Sequence, residues 1–72
     1  MSIKSLNPRN QFAGTVSFIN LGPVLSEIEV QTAAGIVTSV VTTRAVQELE
    51  LQIGSGVIAF VKATDVALAK LE

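Results

Sequence analysis

Polar and apolar residues alternate along three segments in the first part of the chain. Residues 11–21 carry mainly apolar side chains on one face and hydroxyls on the other, with Gly14 between them, which is typical of a strand that bends at a glycine. Residues 24–31 place their glutamates opposite an apolar face, and residues 36–42 are dense in β-branched side chains, which favour a pleated sheet. Residues 32–35 supply a short turn between the second and third segments. We therefore predict three strands, of which the second is antiparallel to the first.

The spacing of apolar residues changes at the end of the third predicted strand. Residues 45–49 place apolar side chains at helical spacing, and Thr42 or Thr43 stands where an N-terminal cap would, so we predict a helix of one or two turns. Residues 57–61 form a continuous apolar run, which predicts a strand buried on both faces and the least exposed of the chain. Residues 66–71 alternate enough for a final strand, although their alanines also suit a helix.

Five short strands, one brief helix and glycine-containing corners predict an all-β fold. The expected architecture is a small five-stranded barrel of the oligonucleotide/oligosaccharide-binding (OB) type, formed by residues 1–72 as a single domain. Hydrophobic residues make up 49% of the chain, which is more than the interior of so small a barrel can hold. We therefore expect the barrel to assemble as an oligomer, with part of its apolar surface against another subunit.

The composition excludes several classes of function. The chain contains no Cys and no His and only six acidic residues, so we expect neither an enzyme nor a metal bound directly by side chains. A net charge of −1, three Phe, and no Trp or Tyr argue against a nucleic-acid partner, although the barrel class itself leaves that function open. No apolar run is long enough to span a membrane, and residues 1–5 do not resemble an export signal, so the expected location is cytoplasmic.

Four stretches, taken together and in order, resemble the molbindin (Mop) domain, a TOBE-type molybdate-binding family. The first, Asn7–Val16, resembles the family's opening, in which Ser-Ala-Arg-Asn-Gln precedes an apolar residue and a Gly-x-Val strand. The other three are Gly22–Val24 with Glu27–Val30, Val40–Ala45 with Leu49 and Leu51, and Val61–Val66. They extend over nearly the whole chain, from about Ser5 to Leu68.

The resemblance implies a function as well as a fold. Free-standing molbindins are hexamers, built as trimers of dimers, that hold molybdate or tungstate between subunits. By this resemblance, the chain would store or buffer molybdate, with tungstate as the other candidate ligand and no organic cofactor. The alternative is a structural or interaction domain that keeps the oligomeric barrel but has lost high affinity for the oxyanion.

A tetrahedral dianion requires hydrogen-bond donors and limited positive charge rather than covalent ligands. The family pattern places these donors in two groups, which we expect to belong to neighbouring subunits. The candidate oxyanion-binding residues are Asn7, Arg9, Asn10, Thr42, Thr43, Ala45, Lys62 and Ala63.

Each candidate also has a purely structural interpretation. Lys62 follows an apolar strand, where a lysine often covers apolar surface with its stem. Arg9 has three open roles: donation through its backbone amide or its guanidinium, or covering of the barrel. Asn10 suits a turn before the first strand, and Thr42 suits a helix cap, although a capping hydroxyl can still face an anion.

Two residues depart from the family pattern. Pro8 stands where the family has alanine, and it deletes a backbone N–H donor. Ala45 stands where the family has a serine, and it deletes a hydroxyl. Because each lost donor to a charged ligand costs about 1.5–3 kcal/mol, the two together would weaken binding roughly a hundredfold or more. The Asn7 amide and the Thr43 hydroxyl are the candidate substitutes.

Overall fold

The computed structural model describes residues 10–72, which form four strands, one short helix and one 3₁₀ turn. In chain order these are β1 (Asn10–Leu21), β2 (Leu25–Thr32), β3 (Gly35–Thr42), α1 (Thr43–Glu48), β4 (Gly56–Val61) and the 3₁₀ turn Ala63–Asp65. The all-β class and the single helix after the third strand are as predicted from the sequence.

The four strands form one antiparallel sheet in the order β3-β2-β1-β4. β1 is long enough to serve two partners: its first half, from Asn10, pairs with β4, and its second half, to Leu21, pairs with β2. A β-bulge at Ser17 interrupts the pairing with β2. Because a bulge bends its strand and increases the local twist, β1 curls the sheet around its concave face.

Gly14 lies where β1 is paired on both sides, opposite Thr32 of β2 and Val57 of β4. A side chain here would begin against the backbone carbonyl of Gln31 and the methyl group of Thr32. Only glycine permits this close approach of the β1 and β2 backbones.

The core is small. Val16, Ile28, Val30 and Val46 are buried and pack together, so β1, β2 and α1 each contribute to it. The helix carries only Val46 into this cluster. A core of four branched side chains leaves much of the apolar content of the chain at the surface.

Local hydrogen bonds define both ends of α1. At its start, the Ala45 amide donates to the Thr42 hydroxyl oxygen over 3.1 Å, so Thr42 is the cap. At its end, the Glu50 amide donates to the Gln47 carbonyl and the Leu51 amide to the Val46 carbonyl, at 3.1 and 3.0 Å. This is a Schellman motif, which places Glu50 in the left-handed region with φ of 53°.

Two expectations about the second half of the chain are wrong. Residues 66–71, predicted as the fifth strand, pair with no strand of the sheet within residues 10–72. Residues 57–61 are not buried on both faces, since Phe60 is 45% exposed and only alternate residues of β4 are half-buried. The reason is that this part of the chain forms a single sheet with its core on one face, so alternate residues of β4 are exposed, as they are over much of the central strand β1.

Candidate functional site

The structure divides the candidate residues that it describes into two groups at opposite ends of the sheet. Thr42, Thr43 and Ala45 lie where β3 passes into α1, and we call them the helix-start group. Asn10, Lys62 and Ala63 lie where β1 begins and β4 ends, and we call them the strand-end group. Asn7 and Arg9 lie outside the described residues.

Thr42 and Thr43 of the helix-start group border an open depression of about 460 Å³, whereas Ala45 lines a separate, mainly apolar cavity. Thr42 is one of the lining residues of the depression, and its hydroxyl accepts a hydrogen bond from the Ala45 amide. A hydroxyl that accepts one hydrogen bond still has its own proton to donate, so the capping role of Thr42 leaves it able to donate to an anion. The lining residues of the depression are Pro23, Val24, Thr42, Thr43, Arg44 and Gln47.

Thr43 has a different environment. Its hydroxyl donates to the Gly22 carbonyl and lies next to the Ser26 hydroxyl, each at 2.7 Å. Because Thr43 has one hydroxyl proton and gives it to Gly22, Ser26 is the donor to Thr43. The Gly22 amide donates to Ser26 in turn, and the Thr43 amide donates to the Val24 carbonyl. Thr43 therefore ties the 22–24 turn to the start of α1.

Arg44 and Gln47 line the same depression and are not among the residues predicted from the sequence. The Arg44 side chain is 87% exposed and pairs with Glu48 one helical turn away, at 3.3 Å. An exposed ion pair of this kind is weak, so its guanidinium is free to turn toward a dianion in the depression. The sequence could have indicated both residues. Arg44 directly follows Thr42 and Thr43, and Gln47 lies one helical turn after Arg44.

The strand-end group is organised by the end of β4. The Asn10 side-chain amide donates to the Val61 carbonyl over 3.3 Å, which joins the first residue of β1 to the last residue of β4. This bond lies across the sheet rather than within a turn. Lys62 follows directly, is exposed, and forms no ion pair with any residue that the structure describes.

The 3₁₀ turn after Lys62 leaves its first two backbone amides without an acceptor inside the turn. Its first internal hydrogen bond runs from the Asp65 amide to the Lys62 carbonyl, at 2.9 Å. The amides of Ala63 and Thr64 precede this bond and have no acceptor inside the turn. The strand-end group thus combines one ammonium group with two adjacent backbone amides, a donor set suited to an oxyanion.

The register keeps the two groups apart within one chain. β4 ends beside the beginning of β1, whereas β3 ends beside Leu25 of β2, which follows the far end of β1. β1 has 12 residues, which corresponds to about 35 Å of strand. The two groups therefore lie at opposite ends of β1.

A second cavity, of about 400 Å³, lies on the concave face of the sheet between β3 and β4. Valines, isoleucine, leucines, alanines and Phe60 line it almost completely, and no charged residue takes part. An apolar cavity is a poor site for a dianion, because the ion would lose its hydration without gaining donors. We call this cavity the apolar groove.

Other classes of site are absent from the described part of the chain. Residues 10–72 contain no group of three or more acidic, His or Cys side chains that could hold a metal ion. Nor does any helix within them have the length and apolar character needed to cross a bilayer.

Comparisons with known proteins agree on one family. A family model described as "TOBE domain" matches residues 6–68. The chain is similar to MopII from Clostridium pasteurianum, with 34% identity over 92% of this chain and 100% of that one, at a TM-score of 0.85. It is also similar to a molybdate-binding protein from Sporomusa ovata, with 30% identity, 93% and 100% coverage, and a TM-score of 0.87.

A third solved structure is the cytoplasmic molybdate-binding protein ModG, here with molybdate bound. The identity is 39% and the TM-score is 0.78. The match covers 83% of this chain but only 43% of ModG, so the chain corresponds to less than half of that protein. Comparison with curated protein sequences gives no match.

Proposed function

Because the chain belongs to the TOBE domain family, we propose that it binds molybdate through hydrogen bonds and one or two cationic side chains. The observation that carries this proposal is the full-length similarity to two free-standing relatives, MopII and the molybdate-binding protein of Sporomusa ovata. The donor sets at both ends of the sheet support it, since each can meet a tetrahedral dianion without a metal ligand.

The two groups would play different parts. Lys62 supplies a compact charge, and the amides of Ala63 and Thr64 add directional donors, which together would hold one side of the anion. Thr42 donates from the helix-start group of a neighbouring subunit, with Arg44 and Gln47 at the margin. Thr43 would act as a positioning residue, because its hydroxyl already donates its proton in a hydrogen bond to the Gly22 carbonyl. Asn7 and Arg9 complete the proposed set.

We further propose that the chain stores or buffers the ion in the cytoplasm, without catalysis, at the interfaces of a homo-oligomer such as a hexamer. The separation of the two groups along β1 supports an interface site, because neither group alone surrounds a dianion. Tungstate has nearly the same size and charge as molybdate, so it would occupy the same site. Release then depends on the free concentration of the ion.

Calorimetric titration of the full chain with molybdate tests the proposal. Lys62→Ala should weaken binding about tenfold to a hundredfold, as expected for a lost charge-assisted hydrogen bond. Lys70→Ala is the matched control, because it removes the same charge from a residue outside both groups. Absence of heat and of retention in equilibrium dialysis with the wild-type chain would refute molybdate binding.

A second function is favoured by one specific observation. The helix-start group has lost the hydroxyl at Ala45, and the Thr43 hydroxyl that could replace it is engaged with Gly22 and Ser26. A domain that assembles through its barrel but no longer holds the anion tightly would have these features. It would give an oligomer whose mass and thermal stability do not change on addition of molybdate.

A further inference from the structure

Three hydrogen bonds form a closed ring beside the helix-start depression, and we call it the hydroxyl ring. The Gly22 amide donates to the Ser26 hydroxyl oxygen over 3.4 Å, and the Ser26 and Thr43 hydroxyl oxygens lie 2.7 Å apart. Thr43 donates to the Gly22 carbonyl, also over 2.7 Å, so the ring begins and ends at Gly22. Because a backbone amide only donates and a carbonyl only accepts, the Ser26 proton points to Thr43 and the Thr43 proton to Gly22.

Ser26 is the member of the hydroxyl ring that the sheet holds in place. Its side chain is 2% exposed, and its strand is paired on both sides, with Leu21 of β1 and Val41 of β3 opposite Ser26. Gly22 lies in the turn before β2, and Thr43 lies at the junction of β3 and α1. A hydroxyl on a rigid strand therefore sets the positions of two irregular segments.

The hydroxyl ring also separates the roles of two adjacent threonines. Thr43 is half-buried, and its hydroxyl both donates and accepts within the ring. Thr42 is exposed, lines the depression, and keeps its own hydroxyl proton after it caps the Ala45 amide. Because the two threonines are consecutive, the bonds that hold Thr43 also hold the backbone that carries the Thr42 side chain.

We propose that Ser26 is a positioning residue for anion binding, an inference that rests on the proposed function. Ser26 holds Thr43 in the ring and thereby leaves Thr42 as the hydroxyl of the helix-start group that meets the anion. Ser26 lines neither of the two cavities described above, so it acts on the anion through other residues. A donor that is already fixed loses little conformational freedom when the anion binds, so the ring raises the affinity.

Calorimetric titration with molybdate tests this inference on two variants that each remove one buried hydroxyl from β2. Ser26→Ala should raise the Kd roughly tenfold, a size typical of residues that orient the ligands of a bound ion. Thr32→Val is the matched control and should leave the Kd unchanged. The Thr32 hydroxyl is also buried and also closes a turn, through bonds to Gly35 and Ala34 at the other end of β2. Equal effects of the two variants, or no effect of Ser26→Ala, would overturn the inference.

A double-mutant cycle with Thr42 distinguishes positioning from a general loss of stability. Because Ser26 acts through the Thr42 hydroxyl, Ser26→Ala should change the Kd little once Thr42→Val has removed that hydroxyl. Lys62→Ala, in the strand-end group, should weaken binding by a similar factor with or without Thr42→Val. If Ser26→Ala also weakens binding by the same factor in both backgrounds, Ser26 does not act through Thr42 and the inference is wrong.

Thr43 gives a second pair of variants that does not depend on the folding of Ser26→Ala. Thr43→Val breaks the ring and should weaken binding as Ser26→Ala does, whereas Thr43→Ser keeps the hydroxyl and should retain the wild-type Kd. Equal affinities of these two variants would contradict the role of the ring. Binding that Lys62→Ala weakens and the ring variants do not would count only against this inference. Absence of binding by the wild-type chain would refute the proposed function and the inference together.

Discussion

The hydroxyl oxygens of Ser26 and Thr43 lie 2.7 Å apart and join the start of β2 to the start of α1. Ser26 is 2% exposed, so this contact is shielded from water. Through Thr43 the chain of hydrogen bonds continues to the Gly22 carbonyl. The turn that borders the helix-start depression is thus held by the buried Ser26 and the half-buried Thr43.

Replacement of Thr43 by valine tests this network. Thr43→Val keeps the shape of the side chain but leaves Ser26 and the Gly22 carbonyl without their partner, so the free energy of unfolding should fall by about 1–3 kcal/mol. Thr43→Ser keeps the hydroxyl and should be much milder. Urea denaturation measures both, and equal stability of the two variants would show that the hydroxyl contributes nothing.

The close approach of β1 to β2 makes a prediction at Gly14. Gly14→Ala places a methyl group against the Gln31 carbonyl, so the strands must separate, and we expect a loss of about 1–3 kcal/mol. Gly56→Ala is the matched control, because nothing lies within 4 Å of the added carbon. Thermal unfolding of both variants should show a large decrease for the first and little change for the second.

The left-handed backbone at Glu50 is a site for stabilisation. Because a residue with a Cβ atom is strained at φ of 53°, Glu50→Gly should raise the free energy of unfolding by about 0.5–1 kcal/mol. Glu48→Gly, inside the helix, should lower it by a similar amount. Denaturant midpoints would reveal the opposite signs, and destabilisation by Glu50→Gly would show that the Glu50 side chain matters more than its backbone.

Restoring a hydroxyl at position 45 addresses the proposed anion site. Ala45→Ser adds a donor beside Thr42, and we expect molybdate affinity to increase about tenfold or more. Ala33→Ser introduces the same group in the exposed β2–β3 turn and should leave affinity unchanged. Calorimetric titration compares the two. Equal affinities would remove the helix-start group from the proposed site.

Much of the local structure was predictable because neighbouring residues determine it. Alternation gave β1 to β3 close to their observed bounds, and the threonine before an apolar helical period gave the cap of α1. The candidate site was predictable only as a set of residue types. That Thr43 is engaged with Gly22 and that Arg44 borders the depression are results of contacts between distant parts of the chain.

Residues 57–61 and 66–71 show what could not be predicted from the sequence. Their apolar character is visible in the sequence, but apolarity does not say whether the covering surface comes from the same chain or from another. The sequence by itself determined the four observed strands, the short helix, the low charge and the surplus of apolar side chains. Tertiary structure decided that β4 is an edge and that the two donor groups lie at opposite ends of β1. The reason is that strand pairing depends on non-local register, which local patterns do not encode.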